Sequence, residues 1–516
     1  MHSTNKTRRR LAILLILTAL AGAGGACRDD YQDLFLDPER STTARIEYLF
    51  TQAQIDADFP IHYGEWYWQV YENVGRWAQV SGAVNDENMM RSVSDQWQNN
   101  WRDYYTRAAM ELKEIRVLYD ALPSDQQASY AVYLHLGKIV NAFVTARTTD
   151  MWGDIPYSEA FTARQTVDRN LFPKFDTQQS VYDAILQDLK DAADGLRGLG
   201  TVHSALAKQD LLLQGDVVAW QRFANSLRLR LAMRLSEVAP AEAQAIVQEI
   251  LNAPGNYPLV ETNAQNVAWS MNPAWTYDHN SLGNRSRGTF ERPDRTYAPK
   301  VMVDIMRAGN DPRVPIVFDP DSAGVYRGLP SSPDSQLPPV NRQTYAYLDS
   351  LMFSRNDNFP GYVMTAAEVK FLKAEADQRG WGSGVAKGEY DAGIRLSIEM
   401  YYDAYNGNTL APDVALPSPA AVDSFINGPT VAYDGTLERI AIQKWIHFGI
   451  VQPYEAWAEQ RRTDYPAFPP DRIGGRLLDR TVRLTYPSTE VTNNRQNYEA
   501  VRAQDTPTTR VWWDVR

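Results

Sequence analysis

Two stretches of the sequence interleave flat aromatic rings with hydrogen-bonding groups, the side-chain mix that a wet binding cleft requires. One runs through His62, Tyr63, Trp66, Tyr67, Trp68 and Tyr71 to Trp77 and then the polar residues Asn85, Asp86, Glu87 and Asn88. The other holds Trp269, Asn272, Trp275, Tyr277, Asp278, His279, Asn280, Asn284 and Arg285. Tyr and Trp offer an apolar face with a polar handle, so they suit interfaces and clefts as well as cores. The second stretch is the stronger candidate because it falls in irregular sequence, where side chains are not committed to a helix core. For the first, the competing reading is packing of an early helix. The candidate ligand contacts are therefore Trp275, Tyr277, Asn280, Arg285 and Trp269, with Trp66, Trp68 and Trp77 behind them.

Catalysis finds less support. The chain carries 63 acidic residues, so carboxylate pairs are easy to imagine, but a glycosidase needs two of them at a fixed separation across a cleft, which spacing in sequence does not certify. There is no H-E-x-x-H zinc motif, G-x-S-x-G elbow or phosphate loop. Gly380, Gly382 and Gly384 alternate between two helical patterns and read as a turn. The expectation is a protein without catalytic residues, cofactor or visible metal site. A net charge of −11 argues against nucleic acid or anionic lipid as a ligand, since either favours a basic patch.

Cys27 is the only cysteine. It follows Lys6, Arg8, Arg9 and Arg10, the apolar run Leu11 to Leu20 and the small residues Ala21 to Ala26, the three-part layout of an export signal. A lone cysteine cannot staple an exported chain internally, so the thiol reads as a lipidation site, with residues 1–26 as the signal peptide. Gly24 stands where the lipoprotein pattern usually has a leucine-like residue, and a free thiol is the alternative. Residues 27–45, with Arg28, Asp29, Asp30 and Asp33, read as an acylated tether.

The elements that must position the aromatic stretches are mostly helical. Ser124 and Gln127 resemble a capping box ahead of Tyr133, Leu136, Val140, Phe143 and Val144. Asp176 or Thr177 can cap a helix with the stripe Val181, Ile185, Leu189 and Leu196. A third stripe runs through Trp220, Phe223, Leu227, Leu231, Leu235 and Val238 until Pro240 ends it. Val369, Leu372 and Ala376, then Ile394, Ile398 and Tyr401, then Leu437, Ile440, Trp445 and Phe448 mark three more. Between 255 and 360 the pattern dissolves into Pro, Gly, Asn and Ser with scattered aromatics, and 407–435 is a shorter irregular stretch. The expected fold is mainly α, built from antiparallel helix pairs packed side by side.

Several motifs in order resemble the SusD/RagB family: Trp152-Gly153-Asp154-Ile155-Pro156-Tyr157-Ser158-Glu159-Ala160, Phe172-Pro173-Lys174-Phe175-Asp176, and Phe223 to Arg234. Met364 to Val369, Gln443-Lys444-Trp445, Glu455 to Glu459 leading to Arg461-Arg462-Thr463, Tyr486-Pro487 and Val511 to Asp514 continue the likeness over almost the whole chain after residue 26. The resemblance implies a single domain over 46–516 with tetratricopeptide-like helix pairs and an irregular subdomain at 255–360. It implies a nutrient-binding lipoprotein at the outer membrane that captures a glycan or oligopeptide for a SusC-like, TonB-dependent transporter barrel. A ligand-free structural lid, and a surface glycoside hydrolase, are the rival functions. The motifs themselves read as architecture: Arg228, Arg230 and Arg234 as solvated or ion-paired faces, Trp457 and Arg461 as a stacked pair.

Overall fold

In a computed structural model the described residues are 44–57, 73–82, 97–162, 170–269, 297–331, 340–341, 343–356, 358–470, 472–473, 476–477 and 479–516. The N-terminal half is a run of helices: α1 (Ile46–Asp56), α2 (Gln98–Thr106), α3 (Ala108–Asp120), α4 (Ser124–Trp152), α5 (Gln178–Arg197), α6 (Val217–Arg234) and α7 (Pro240–Asn252). α1 and α2 pack on α3, α3 and α5 on α4, and α6 on both α5 and α7. The C-terminal half repeats the scheme with α8 (Lys300–Ala308), α9 (Ala366–Gln378), α10 (Ala386–Asn406), α11 (Pro419–Ile426), α12 (Leu437–Phe448) and α13 (Pro453–Thr463), in which α9 packs along α10 and against α12. The fold is mainly α, as the helical periodicity suggests, with the tetratricopeptide-like helix pairs that the family resemblance implies.

Among the described residues strands enter only as two-stranded clips. Ile155–Pro156 (β1) pairs antiparallel with Phe175–Asp176 (β2), so two of the sequence motifs bind each other. Asp176 holds the turn after β1, its carboxylate accepting from Tyr157 N at 3.1 Å, Ser158 N at 2.6 Å and Ser158 Oγ at 2.8 Å. With Asp176 engaged there, Thr177 caps α5 by accepting from Ser180 N. Gly153 ends α4 at φ +77°, a left-handed position that a side chain would strain.

Other expected helix ends differ from the structure. α4 begins at Ser124, but Pro123 occupies the cap position and no side chain caps the helix. Gln127 reaches back instead to Leu122 O at 3.1 Å. α6 starts on Asp216, which accepts from Val218 N and Ala219 N, and stops at Arg234. Pro240 therefore opens α7 rather than closing α6, which suits a residue whose missing N–H costs nothing in a first turn. The stretches read as irregular contain α8 and α11, the latter capped by Ser418.

The two helical halves meet over buried charge. Arg230 grips Glu368 with two bonds of 2.5 and 2.6 Å and touches Glu455 at 3.3 Å, while Arg234 donates to Glu455 at 2.5 Å. Arg462 makes the same fork onto Glu375, at 2.8 and 2.6 Å, and holds Glu459 at 3.1 and 2.8 Å. Lys444 Nζ lies 2.7 Å from Glu459. Asp150 accepts from Tyr182 and Trp513, and Arg461 lies 3.6 Å above the Trp457 ring centre and 4.7 Å from that of Trp513. Arg228 turns outward to Glu249. Arg228, Arg230 and Arg234 of α6 are thus ion-paired, and they are buried rather than solvated.

Burial alone would raise the carboxyls of Glu375 and Glu459, but the charges of Arg462 and Lys444 outweigh it and hold both below the usual carboxylate range. Carboxylates depressed in this way stabilise the fold above their unfolded value, and that contribution is lost as pH falls through the folded one. Arg462→Met strips the guanidinium from two buried carboxylates, leaving Glu459 with Lys444 and Glu375 with Arg379, and is expected to cost about 3–5 kcal/mol in urea unfolding at neutral pH. Arg116→Ala, which breaks an exposed pair with Asp120, is expected to cost under about 1 kcal/mol in the same assay.

Candidate functional site

One backbone pair links the segments beside the two aromatic stretches. Gly82 N donates to Tyr297 O at 2.9 Å and Tyr297 N returns the bond to Gly82 O at 3.0 Å. Gly82 lies between Trp77 and Asn85 of the first stretch, and Tyr297 follows Arg285 of the second by twelve residues. A Cβ at residue 82 would sit 2.6 Å from Tyr297 O, which makes glycine the residue that permits the approach. Tyr297 is fully buried, its ring 4.7 Å from Tyr347 and edge-on to Tyr345 at 6.3 Å.

The ladder continues inward. Ala298 N donates to Ala346 O at 2.9 Å, Ala346 N to Arg327 O at 2.8 Å, and Leu329 N to Ala298 O at 2.8 Å. Tyr347–Leu348 (β4) pairs antiparallel with Phe318–Asp319 (β3). The start of the second stretch is fixed separately. Val267–Trp269 runs antiparallel to Gly361–Met364, with Trp269 opposite Gly361, and Asn266 Oδ1 accepts from Ala366 N at 2.8 Å at the start of α9. The entry to the second stretch is thereby clamped to α9, whose Glu368 and Glu375 belong to the buried charge network.

The sequence-derived candidates fall in three places. Trp77 is a correction: it is buried in the core with its ring 6.0 Å from Trp97 and 5.1 Å from Trp457, and so packs architecture rather than presenting a ligand face. Trp269 is half-buried at the strand end, one ring edge against the helical core. Trp66, Trp68, Trp275, Tyr277, Asn280, Arg285 and the lipidation candidate Cys27 lie outside the described residues, as do His62 and Asn85 to Asn88.

Sequence reading missed the electrostatics under the ladder. Asp349 follows β4, accepts from Met352 N at 2.7 Å and lies beside Asp319 on the paired strand. Burial, with the neighbouring Asp319 charge adding to it, pushes the Asp349 carboxyl up to about 7. Two aspartates thirty residues apart carry no pattern that would reveal this. Among the described residues no group of three or more His, Cys, Asp or Glu side chains is arranged to hold a metal ion.

A raised folded-state value means the folded protein keeps a proton that the unfolded chain releases near 4, so stability falls as pH rises from about 4 to 7. Asp349→Asn is therefore expected to raise the melting temperature at pH 8 and to leave it nearly unchanged at pH 4.5, read by calorimetry. Gly82→Ala is expected to destabilise by about 1–3 kcal/mol, because the added methyl must displace the Tyr297 backbone.

Comparison with known proteins follows the geometry. A family model described as SusD-like, starch-binding associating with outer membrane, matches residues 40–487. Among solved structures, a chitin-binding protein is similar at 26% identity and a TM-score of 0.73, covering 91% of this chain and 99% of its own. A SusD homologue from Bacteroides uniformis is similar at 25% identity and 0.68, covering 91% and 100%. A chitin-binding SusD homologue from Flavobacterium johnsoniae shares the fold at 24% identity and 0.71, covering 91% and 99%. No curated protein matches the sequence.

Proposed function

Because the chain belongs to the SusD-like family of outer-membrane-associated binding proteins rather than enzymes, we propose that it captures a glycan at the cell surface and delivers it to a SusC-like, TonB-dependent transporter barrel. The observation that carries the reading is the Gly82–Tyr297 pair, which supports a site drawn jointly from both aromatic stretches. A pyranose has an apolar face of C–H groups and a rim of hydroxyls. Flat rings match the first, and the amides, carboxylates and guanidinium among Asn272, Asp278, Asn280, Asn284 and Arg285 match the second. The chitin-binding neighbour at 26% identity supports a saccharide over a peptide.

Anchoring through a diacylglyceryl group on Cys27 completes the reading. No helix among the described residues is long and apolar enough to cross a membrane, so attachment by a lipid and docking to a barrel account for the membrane association that the family name carries. Acyl chains on both the sulfur and the new amino terminus give the two-signal anchoring that stable attachment requires.

Titration calorimetry of the protein against starch-derived and chitin-derived oligosaccharides tests the proposal. Binding of at least one series is expected, weakened about tenfold in Trp269→Ala and in Trp275→Ala. Binding of neither series, or equal binding in both variants, overturns it. Release of the protein from membranes on Cys27→Ser, together with co-purification of a barrel partner with the wild type, checks the anchoring and delivery steps.

A further inference from the structure

A second cleft, remote in sequence from both aromatic stretches, lies beside the β1–β2 clip. It is about 230 Å³, and its lining includes Tyr105, Pro156, Leu171, Phe172, Glu490 and Asn493. That volume is below the range of pockets for drug-sized ligands and is on the scale of one ring. The cavity above the buried charge network, at about 50 Å³, has room only for water.

The wall that carries Phe172 is held in place from both sides. Asn497 donates to Phe172 O at 2.8 Å and Asn494 to Pro173 O at 2.9 Å. Asn170 Oδ1 accepts from Phe172 N at 3.1 Å, and Glu159 accepts from Asn170 Nδ2 at 3.0 Å and from Lys174 N at 3.2 Å. Yet this fixed loop leaves Leu171 66% and Phe172 57% exposed. A single exposed apolar side chain is ordinary. Five side-chain hydrogen bonds spent on a loop that displays a phenyl ring at the lip of a cleft are not, since they lower the entropy a ligand would otherwise have to remove.

The polar part of the lining is equally fixed. Glu490 is partly buried, with Trp101 Nε1 donating to one carboxylate oxygen at 3.2 Å and Asn494 Nδ2 to the other at 3.3 Å. A carboxylate has about four acceptor positions, so both oxygens retain capacity for a ligand hydroxyl. The Asn493 amide, exposed on the same helical turn, supplies a donor and an acceptor. A phenyl ring, a carboxylate and an amide that line one cleft of this size match an apolar face and a hydroxyl rim.

We infer that the cleft between Phe172 and Glu490 is a second saccharide site, taking one sugar ring with its C–H face on Phe172 and its hydroxyls on Glu490 and Asn493. It extends the glycan-capture reading to a separate place and shares its premise that the ligand is a sugar. A protein side chain seated in the same cleft is the other chemistry the walls admit, and the polar wall favours the sugar.

Saturation-transfer NMR on the full protein with glucose and N-acetylglucosamine, and their disaccharides, reads the site. Phe172→Leu keeps the apolar area and removes the flat ring, so it is expected to weaken the sugar signal about fivefold or more, while Phe172→Tyr stays at the wild-type level. Asn493→Ala, at an exposed position, is expected to weaken it as well without disturbing the fold. Equal signals in wild type and Phe172→Leu, or a response to N-acetylphenylalaninamide in place of sugars, overturn the inference. Loss in Trp269→Ala with Phe172→Leu unchanged removes this site and leaves the capture function standing. Loss in Phe172→Leu with Trp269→Ala unchanged does the reverse, and no sugar signal from the wild type removes both.

Discussion

Five cations, Arg230, Arg234, Lys444, Arg461 and Arg462, sit among five carboxylates, Asp150, Glu368, Glu375, Glu455 and Glu459, where α4, α6, α9, α12 and α13 converge. Balanced charge at this depth is costly to assemble, because each ion gives up its hydration, and costly to break, because any one loss leaves a partner bare. The arrangement therefore acts less as a source of net stability than as a specification. Guanidinium forks onto Glu368 and Glu375 admit one register of α6 and α13 against α9, where a wholly apolar seam would tolerate several. With α9 fixed, the Thr365 cap and the Asn266 bond fix the strand that ends at Trp269.

That dependence explains what the sequence motifs are for. Among the residues that carry the resemblance, Arg230, Arg234, Glu368, Lys444, Glu455, Glu459 and Arg462 are members of the network, and Trp457 and Trp513 are rings stacked on its Arg461. Trp152, Asp154 and Asp176 hold the β1–β2 clip: Asp154 accepts from Gln178 N at 2.8 Å and from Gln504 at 2.8 Å, and Trp152 donates to Thr485 O at 3.1 Å. Recognisable positions are thus recognisable because frame geometry leaves them little choice. Residues that face a ligand have no such constraint, so the frame is legible where the site is not.

The same contrast runs through the expectations drawn from sequence. Helices with a strong apolar stripe, α5, α9, α10 and α12, lie where periodicity puts them, because the burial that makes the stripe also makes the helix. The failures are local competitions. Pro123 takes the cap place that Ser124 was expected to fill, and Pro240 initiates where it was expected to terminate, since proline is compatible with a first turn but not an interior one. α8 and α11 are nine and eight residues long and are flanked by Pro and Gly, too short for a period to emerge from a loop-rich background. Trp77 looked like a neighbour of the polar run 85–88, but no spacing in the chain announces that Trp97 and Trp457 close over it.

A rigid, charge-registered frame has a consequence for recognition. Sugars give up strong hydration for modest ring and hydroxyl contacts, so a binding surface gains affinity chiefly by being ordered before the ligand arrives. In this chain backbone and amide bonds order the segments beside both proposed sites: Gly82 with Tyr297 at one place, and Asn494, Asn497 and Glu159 around Phe172 at the other. Each set fastens a loop's backbone and leaves its side chains free to differ. One frame of this kind can carry different ring-and-amide surfaces without altering the helices beneath, which is why a fold shared across 91% of the chain coexists with only 26% identity to a chitin-binding neighbour.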